Sequence, residues 1–232
     1  MAFVIIGVDI GQKHDPTAIA VVEAERRERE GGGSEWHHLV RHLERLPLGT
    51  SYPEVGRRVA AVVAEVVAKT GAEPTLHVDA TGVGTPVVDA LRAAGIKARV
   101  YAVYFTHGDK RVVEGNQISL GKGWLVSRLQ VLLQSELVHL PRSREAQVLT
   151  AELRDYEIRI TEDANERYGS FKVGTHDDLV TALGLAVQTD PVVVEFNFPE
   201  GLVTREGRSI GGTWNNPLLG DDESDLDYNA WH

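Results

Sequence analysis

The chain contains no cysteine among its 232 residues. This absence excludes disulfide bonds, cysteine-ligated zinc sites and a cysteine nucleophile. No apolar run approaches the roughly 20 residues that a membrane-spanning helix needs. The N-terminus also lacks the basic region followed by a long apolar stretch that marks a signal peptide. We therefore expect a protein of the cytoplasm without a membrane partner.

Basic residues are in deficit, with 24 Lys and Arg against 34 Asp and Glu and a formal net charge of −10. Such an acidic balance argues mildly against an independent nucleic-acid binder. Part of the excess is local, because residues 221–232 hold five acidic residues and no Lys or Arg. The global charge therefore does not decide between nucleic-acid enzymes and other classes of protein.

The first half of the chain predicts a mixed arrangement of strands and helices, and the hydrophobic fraction of 42% is sufficient for a globular core. Short apolar runs bounded by turn residues predict strands at residues 3–9, 17–23, about 36–46, 75–79 and 97–105. A capping box at Ser51–Glu54 and valines at helical spacing predict a helix that ends at Gly71. Pro86 opens a second, short helix that runs through Leu91.

The second half predicts three more helices and a hairpin. Helices are expected at residues 124–133 and 144–155, and a hairpin pairs residues 156–161 with 168–173. Thr175 is expected to cap a last helix from His176 to about Gln188. Residues 1–190 would then form one domain. Residues 191–232 are rich in Gly, Pro, Asn and Asp and read as a C-terminal extension that is ordered only if it docks.

This order of elements resembles the ribonuclease H-like arrangement. It predicts an α/β fold with a mixed five-stranded sheet, in which three antiparallel strands precede two parallel ones. Helices would flank this sheet, and the later hairpin would be an addition to it.

Two aspartates occur in similar sequence contexts, each at the end of a strand that is predicted to be buried. Asp9 follows the run Val4–Val8, and Asp79 follows Leu76–Val78. The carboxyl end of such a strand lies at the rim of an open α/β sheet, where ligand sites form. The pair Asp177 and Asp178 supplies a third acidic element at a helix start. Carboxylates that converge from rigid elements suit Mg²⁺ or Mn²⁺.

Each of these residues also has a purely structural interpretation. Asp79 is compatible with an ordinary turn. Asp178 would be the third helical residue of a capping box begun by Thr175, which favours Asp177 as the metal ligand of the pair. Asp15 fits either an auxiliary ligand or an Asp-Pro turn. His176 could contact phosphate or metal, or neither.

Three motifs together resemble the nuclease domain of phage terminase large subunits. They are Gly7–Gly11 with Asp15 and Thr17–Ile19, then Val78–Gly84 followed by Pro86–Leu91, and finally His176–Leu183. The resemblance covers about residues 3–188. It implies a ribonuclease H-like (RuvC-like) fold and endonuclease cleavage of double-stranded DNA with little sequence specificity, by two Mg²⁺ or Mn²⁺ ions. It assigns Asp9, Asp79 and Asp177 or Asp178 as ligands, with Asp15 as an auxiliary ligand.

A full terminase large subunit carries an ATPase domain ahead of the nuclease. This chain has no Gly-x-x-x-x-Gly-Lys-[Ser/Thr] phosphate loop. We therefore expect an isolated or separately encoded nuclease domain that cuts DNA without translocating it. The resemblance implies a packaging ATPase domain, a portal and a small terminase subunit as partners, in the host cell cytoplasm if the protein is phage-encoded.

Several basic residues are candidates for contacts to DNA phosphates. Lys172 is the strongest candidate, because it lies on the strand just before the Asp177 helix, and Lys13 and Arg128 follow. The full set is Lys13, Lys110, Arg111, Lys122, Arg128, Lys172 and Arg208.

Three other functions remain open from the sequence. A RuvC-like junction resolvase would share the carboxylates and differ in the DNA shape that it prefers. An actin-like or sugar-kinase-like ATPase also begins with a strand, an Asp and phosphate-binding glycines, although it needs two such domains. A non-catalytic assembly module would have kept the fold alone, but three intact acidic motifs argue against this.

Overall fold

The structure is a computed structural model that describes residues 3–11, 15–29, 32–82, 84–160, 166–170 and 176–188. The strands in these segments are β1 (Phe3–Asp9), β2 (Ala18–Glu28), β3 (Ser34–Arg45), β4 (Thr75–Asp79), β5 (Arg99–Thr106), β6 (Arg111–Glu114), β7 (Gln117–Gly121), β8 (Val138–His139), β9 (Tyr156–Ile160) and β10 (Glu166–Ser170). The helices are α1 (Tyr52–Thr70), α2 (Gly84–Ala93), α3 (Lys122–Gln134), α4 (Arg144–Asp155) and α5 (Asp178–Ala186). The predicted extension at 191–232 lies outside the described residues, so the domain boundary near residue 190 stays a prediction.

The main sheet has eight strands in the order β6-β7-β5-β4-β1-β2-β3-β8. Antiparallel pairing joins β1 to β2 and β2 to β3, and parallel pairing joins β1 to β4 and β4 to β5. These five central strands confirm the predicted mixed α/β sheet. The hairpin of β9 and β10 forms a separate two-stranded sheet, also as predicted.

The sequence analysis missed three strands at the two edges of the sheet. Antiparallel β6 and β7 extend it beyond β5, and β8 extends it beyond β3. Strand β8 has only two residues, too few to show a pattern. Val112 and Val113 of β6 are both nearly half exposed, so this strand lacks the alternation of a half-buried strand. Edge strands are therefore the least visible in the sequence.

Helix α1 begins and ends at the residues that the sequence predicted. The Glu54 carboxylate accepts a hydrogen bond from the Ser51 backbone N–H at 3.1 Å, as a capping box requires. Gly71 ends the helix with φ 68°, in the left-handed region that glycine adopts without steric cost. Among the described residues, none of the helices combines the length and hydropathy that a membrane span requires.

Helix α5 lies directly against the centre of the sheet. A Cβ atom placed on Gly7 of β1 would be only 2.0 Å from the Ala182 carbonyl oxygen. Val22 and Ala20 of β2 also pack against the buried face of α5 in one hydrophobic cluster. Since side chains alternate along a strand, Asp9 projects toward the same face of the sheet as Gly7.

His77 of β4 makes a second contact with α5. It is paired in register with Gly7, and its Nδ1 lies 2.8 Å from the Leu185 carbonyl oxygen. Because a carbonyl only accepts, the His77 ring must donate from Nδ1. Burial lowers the pKa of His77 to about 4, so the ring is neutral at pH 7. The contact joins β4, and with it Asp79, to the helix.

We predict that Gly7→Ala destabilises the protein by at least about 2 kcal/mol, because the added methyl group overpacks a backbone contact. Gly56→Ala is the matched control, since a Cβ atom there meets nothing within 4 Å. That change should stabilise α1 by up to about 1 kcal/mol. Urea unfolding of both variants measures the two effects. A Gly7→Ala variant as stable as the wild type would contradict this description of the helix contact.

Candidate active site

Asp9 and Asp79 lie at the same rim of the sheet. Strands β1 and β4 are parallel neighbours, with Val8 in register with Val78. Each aspartate is the next residue, and adjacent strands are about 4.8 Å apart. The two carboxylates therefore project side by side toward the face that α5 covers.

The turn after β4 holds Asp79 in place. One oxygen, Oδ1, accepts a hydrogen bond from the Thr81 backbone N–H at 2.8 Å. The Thr81 hydroxyl in turn accepts from the Phe105 backbone N–H at 2.9 Å, which ties the turn to β5. A Cβ atom on Gly84 would lie 1.8 Å from the Asp79 carbonyl oxygen. Asp79 is thus both a turn former and a rim carboxylate.

Helix α5 brings the third acidic element to this rim. It starts at Asp178, with Asp177 in the N-cap position, and not at His176 as the sequence analysis expected. Asp178 is therefore not the third helical residue, and the expected capping box does not form. Thr175, its predicted cap, lies outside the described residues.

A side chain from α4 replaces the expected cap. Glu152 Oε2 accepts hydrogen bonds from the backbone N–H groups of Leu179, at 3.2 Å, and Val180, at 3.4 Å. These are donors that a helix cannot satisfy internally. The capping argument that favoured Asp177 over Asp178 as a ligand therefore no longer applies.

Asp178 is buried, with 2% of its surface exposed, and it is paired with Arg45 of β3. Arg45 Nε donates to Oδ2 at 2.6 Å and Nη2 donates to Oδ1 at 3.2 Å. The same Nη2 also pairs with Glu152 Oε1. The sequence analysis missed both Arg45 and Glu152. No local motif marks them, because Arg45 is 133 residues from Asp178 along the chain.

Asp9 is the electrostatic centre of the site. Burial raises its pKa well above the ordinary value, and the charges of Asp79, Asp178 and Asp177 raise it further, in that order. Lys122 acts in the opposite direction. The four aspartates are therefore close enough to interact, and Asp178 affects Asp9 more strongly than Asp177 does.

The pKa values of Asp79 and Asp178 are raised for the same reason. Burial raises the pKa of Asp79, against the hydrogen bonds from Thr81 and the charge of Lys122. Burial also raises the pKa of Asp178, against its pairing with Arg45. Desolvated carboxylates that repel one another gain stability from a bound cation.

The donor set fits a hard divalent cation, since such ions prefer carboxylate oxygens. Within the described segments, however, no group of three or more His, Asp or Glu side chains already has the arrangement that would hold an ion. The charges of Asp79, Asp177 and Asp178 nevertheless all act on Asp9, so these residues lie near one another at the rim of the sheet.

Asp15 and His176 lie at the edge of this cluster. His176 Nδ1 is 3.9 Å from Asp15 Oδ1 and 4.0 Å from Asp178 Oδ1. Asp15 therefore lies near the third acidic element, and its auxiliary role stays a prediction. Its side chain is 74% exposed, so it stands at the solvent side of the site.

Among the basic candidates that the structure describes, Lys122 is the one whose charge acts on both Asp9 and Asp79. It is the exposed first residue of α3, and its charge lowers the pKa of both Asp9 and Asp79. Its Nζ lies 5.6 Å from the centre of the Phe105 ring, beside the turn that holds Asp79.

Arg128 lies at the other end of α5 from the acidic residues. Its Nε donates to the Val187 carbonyl oxygen at 2.5 Å, just beyond the C-terminal end of α5. The nine residues of α5 separate this contact from Asp178 by about 13 Å. Lys13, Lys172 and Arg208 lie outside the described residues.

The sheet order and the rim carboxylates define a protein of the ribonuclease H-like class. A family model described as the terminase RNaseH-like domain matches residues 6–189, and the chain belongs to this family. Family membership supports a nuclease role in genome packaging. The comparison with curated proteins gave no match.

Solved structures of terminase nucleases share the fold. The large terminase nuclease from thermophilic phage G20c with bound magnesium is 23% identical, with a TM-score of 0.56 over 80% of each chain. The nuclease domain from Thermus phage P74-26 is 21% identical, with a TM-score of 0.53 over 80% of this chain and 78% of that one. The Mn-soaked human cytomegalovirus terminase nuclease domain is 14% identical, with a TM-score of 0.51 over 78% and 80%.

We predict that Asp9→Asn stabilises the metal-free protein at pH 8 by about 1 kcal/mol, because one charge leaves a buried, repelling cluster. Because the pKa of Asp9 is raised in the folded state, ionisation of Asp9 destabilises the protein fully above that pKa. This destabilisation is lost as the pH falls from the folded-state pKa toward the pKa of the unfolded state. The gain should therefore shrink at pH 5. Urea unfolding in EDTA at pH 8 and at pH 5 measures the change in the free energy of unfolding.

Asp89→Asn on the exposed side of α2 is the control for this measurement, since the Asp89 side chain is 68% exposed. It should change stability by less than about 0.5 kcal/mol at either pH. A loss of stability in Asp9→Asn at pH 8 would show that the carboxylates do not repel one another in the folded protein.

Proposed function

We propose that this chain is a Mg²⁺- or Mn²⁺-dependent endonuclease that cleaves double-stranded DNA with little sequence specificity during viral genome packaging. The observation that carries the proposal is the convergence of the charges of Asp79, Asp177 and Asp178 on Asp9 at the rim of the sheet. Placing like charges together at a desolvated rim costs stability, which favours a functional reason for the cluster. Membership of the terminase RNaseH-like family supports the same activity.

In this proposal Asp9, Asp79 and the Asp177 and Asp178 pair would hold two divalent ions. Asp178 is the stronger candidate of the pair, because it is buried and affects Asp9 more strongly. Asp15 is an auxiliary residue. Two bound divalent ions would stabilise the attacking and leaving oxygens of the scissile phosphodiester. Bound magnesium in the phage G20c nuclease supports this choice of ion.

The substrate and partners also belong to the proposal. Double-stranded DNA would enter over the exposed rim where Lys122 stands. A packaging ATPase domain, the portal and the small terminase subunit are the partners that the family implies, in the cytoplasm of an infected host cell. Since the chain has a net charge of −10, these partners would supply much of the affinity for DNA.

Other functions receive less support. A RuvC-like junction resolvase would use the same carboxylates, and the family match favours the terminase instead. Cleavage of a four-way junction at more than ten times the rate of a matched duplex would favour the resolvase. For an ATPase, the glycine turn after β4 would have to receive phosphate. In this structure a glycine is needed at position 84 for another reason, because a side chain there would clash with the Asp79 carbonyl oxygen.

We predict that the wild-type protein converts supercoiled plasmid to nicked and linear forms in Mn²⁺, and that Asp9→Ala and Asp79→Ala each lose at least about 100-fold in rate. Loss of either carboxylate removes an oxygen ligand that no neighbour replaces. Asp89→Ala, on exposed α2, should cut like the wild type. Cleavage by Asp9→Ala at the wild-type rate, or no cleavage by the wild type, would exclude the proposed function.

A second prediction concerns Lys122. Lys122→Ala should raise KM for DNA several-fold and reduce the dependence of binding on salt by about one ion. Lys97→Ala is the control, because Lys97 is exposed and precedes β5, at the opposite end of the strands from the carboxylates. Initial rates over a range of salt concentrations measure both effects. Equal salt dependence in the two variants would exclude a DNA contact at Lys122.

A further inference from the structure

We propose that Arg45 and Glu152 are positioning residues, which hold Asp178 and the first turn of α5 in the orientation that metal binding requires. This inference rests on the proposed function, because it concerns how the same carboxylate site is held in place. It assigns a role to two residues that lie outside the three acidic motifs.

The register of the sheet aligns Arg45 with Asp9. Asp9 of β1 is paired with Ala18 of β2, and Ala18 is paired with Arg45 of β3. Residues in one such row project to the same face, about 10 Å apart over two strand spacings. Between them stands only the methyl group of Ala18. The Arg45 side chain can therefore reach toward α5 from the side opposite Asp79.

A bulge produces this alignment. The pairing of β2 with β3 shifts by one residue between Val21 and Val22. Without the shift, the register set at the hairpin tip would pair Ala18 with Glu44. A slip of one residue exchanges the two faces of a strand. The bulge thus places a cation on the site face, and Glu44 projects to the other face.

The hydrogen bonds at Arg45 restrain Asp178 on both oxygens. The Arg45 guanidinium donates to Oδ2 at 2.6 Å and to Oδ1 at 3.2 Å. Such a planar fork fixes the plane of the carboxylate as well as its position. Each carboxylate oxygen has two lone-pair directions, so the fork by itself uses only one direction on each oxygen.

Glu152 joins the Arg45 fork to the helix. Its Oε1 pairs with Arg45, and its Oε2 accepts from the Leu179 and Val180 N–H groups. The Glu152 side chain is only 7% exposed. The guanidinium, the Asp178 carboxylate and the helix start therefore form one hydrogen-bonded unit. Outer partners that orient a ligating carboxylate typically change metal affinity by about 10- to 100-fold when they are lost.

If Arg45 acted only through its charge, its removal would change the affinity for metal in the opposite direction. A positive charge beside a metal ligand weakens the attraction for a divalent cation. Its removal should then strengthen metal binding. Arg45→Lys separates the two roles, because it keeps the charge and loses the planar fork.

The experiment measures Mn²⁺ affinity by isothermal titration calorimetry for the wild type, Arg45→Lys, Arg45→Gln and Glu152→Gln. Arg45→Lys should bind Mn²⁺ at least about tenfold more weakly. Its loss of cleavage rate should be recovered by raising the Mn²⁺ concentration, with KM for DNA unchanged. Glu152→Gln should show a smaller loss in the same direction.

Arg58→Lys is the matched control. Arg58 donates from Nε to both oxygens of Glu44, at 2.9 Å each, and its side chain is 34% exposed against 27% for Arg45. The pair lies on the other face of the sheet. Arg58→Lys should therefore bind Mn²⁺ within about twofold of the wild type, although it also loses a guanidinium–carboxylate pairing.

A double variant tests whether Arg45 acts through Asp178. In an Asp178→Asn background, Arg45→Lys should cause no further loss of Mn²⁺ affinity. An equal loss in both backgrounds would overturn the inference, as would an Arg45→Lys affinity within twofold of the wild type or tighter binding by Arg45→Gln. These outcomes leave the nuclease proposal intact, whereas a wild-type protein that neither binds Mn²⁺ nor cuts DNA overturns the nuclease proposal itself. Glu152→Gln provides the same test if the Arg45 variants fail to fold.

Discussion

The direct contact of helix α5 with strand β1 at Gly7 is the constraint on which the site depends. Because Gly7 has no side chain, the backbone of the helix reaches the sheet itself. This approach brings the N-terminus of α5 to the rim where Asp9 and Asp79 end their strands. Any larger residue at Gly7 would move the helix, and with it the third acidic element, away from the other two.

The charges at this rim are arranged so that the negative charge of the site is only partly compensated. Arg45 pairs with Asp178 from one side, and Lys122 reduces the negative potential at Asp9 and Asp79 from another. The remaining repulsion on Asp9 is a cost in stability that a divalent cation would remove. Such local destabilisation is typical of functional sites.

The fold alone would not have established an activity, since one fold hosts many functions. Here the family match covers residues 6–189, which include every carboxylate of the site. The family match and the placement of the carboxylates both support the proposed nuclease activity. Asp178 shows what the structure adds to the sequence. Its pairing with Arg45 and its effect on the pKa of Asp9 distinguish it from Asp177, whereas the sequence motif does not.

Local sequence determined the elements whose signals are contained within a few residues. The capping box at Ser51 and the glycine at position 71 set the ends of α1, and short apolar runs placed β1 and β4 with their terminal aspartates. Tertiary structure decided what depends on residues that are distant in the chain. Glu152 caps α5 from another helix, so the start of that helix differs from the local prediction. The bulge in β2 and β3 turns Arg45 toward the site, because a shift of one residue in register reverses the face of a strand.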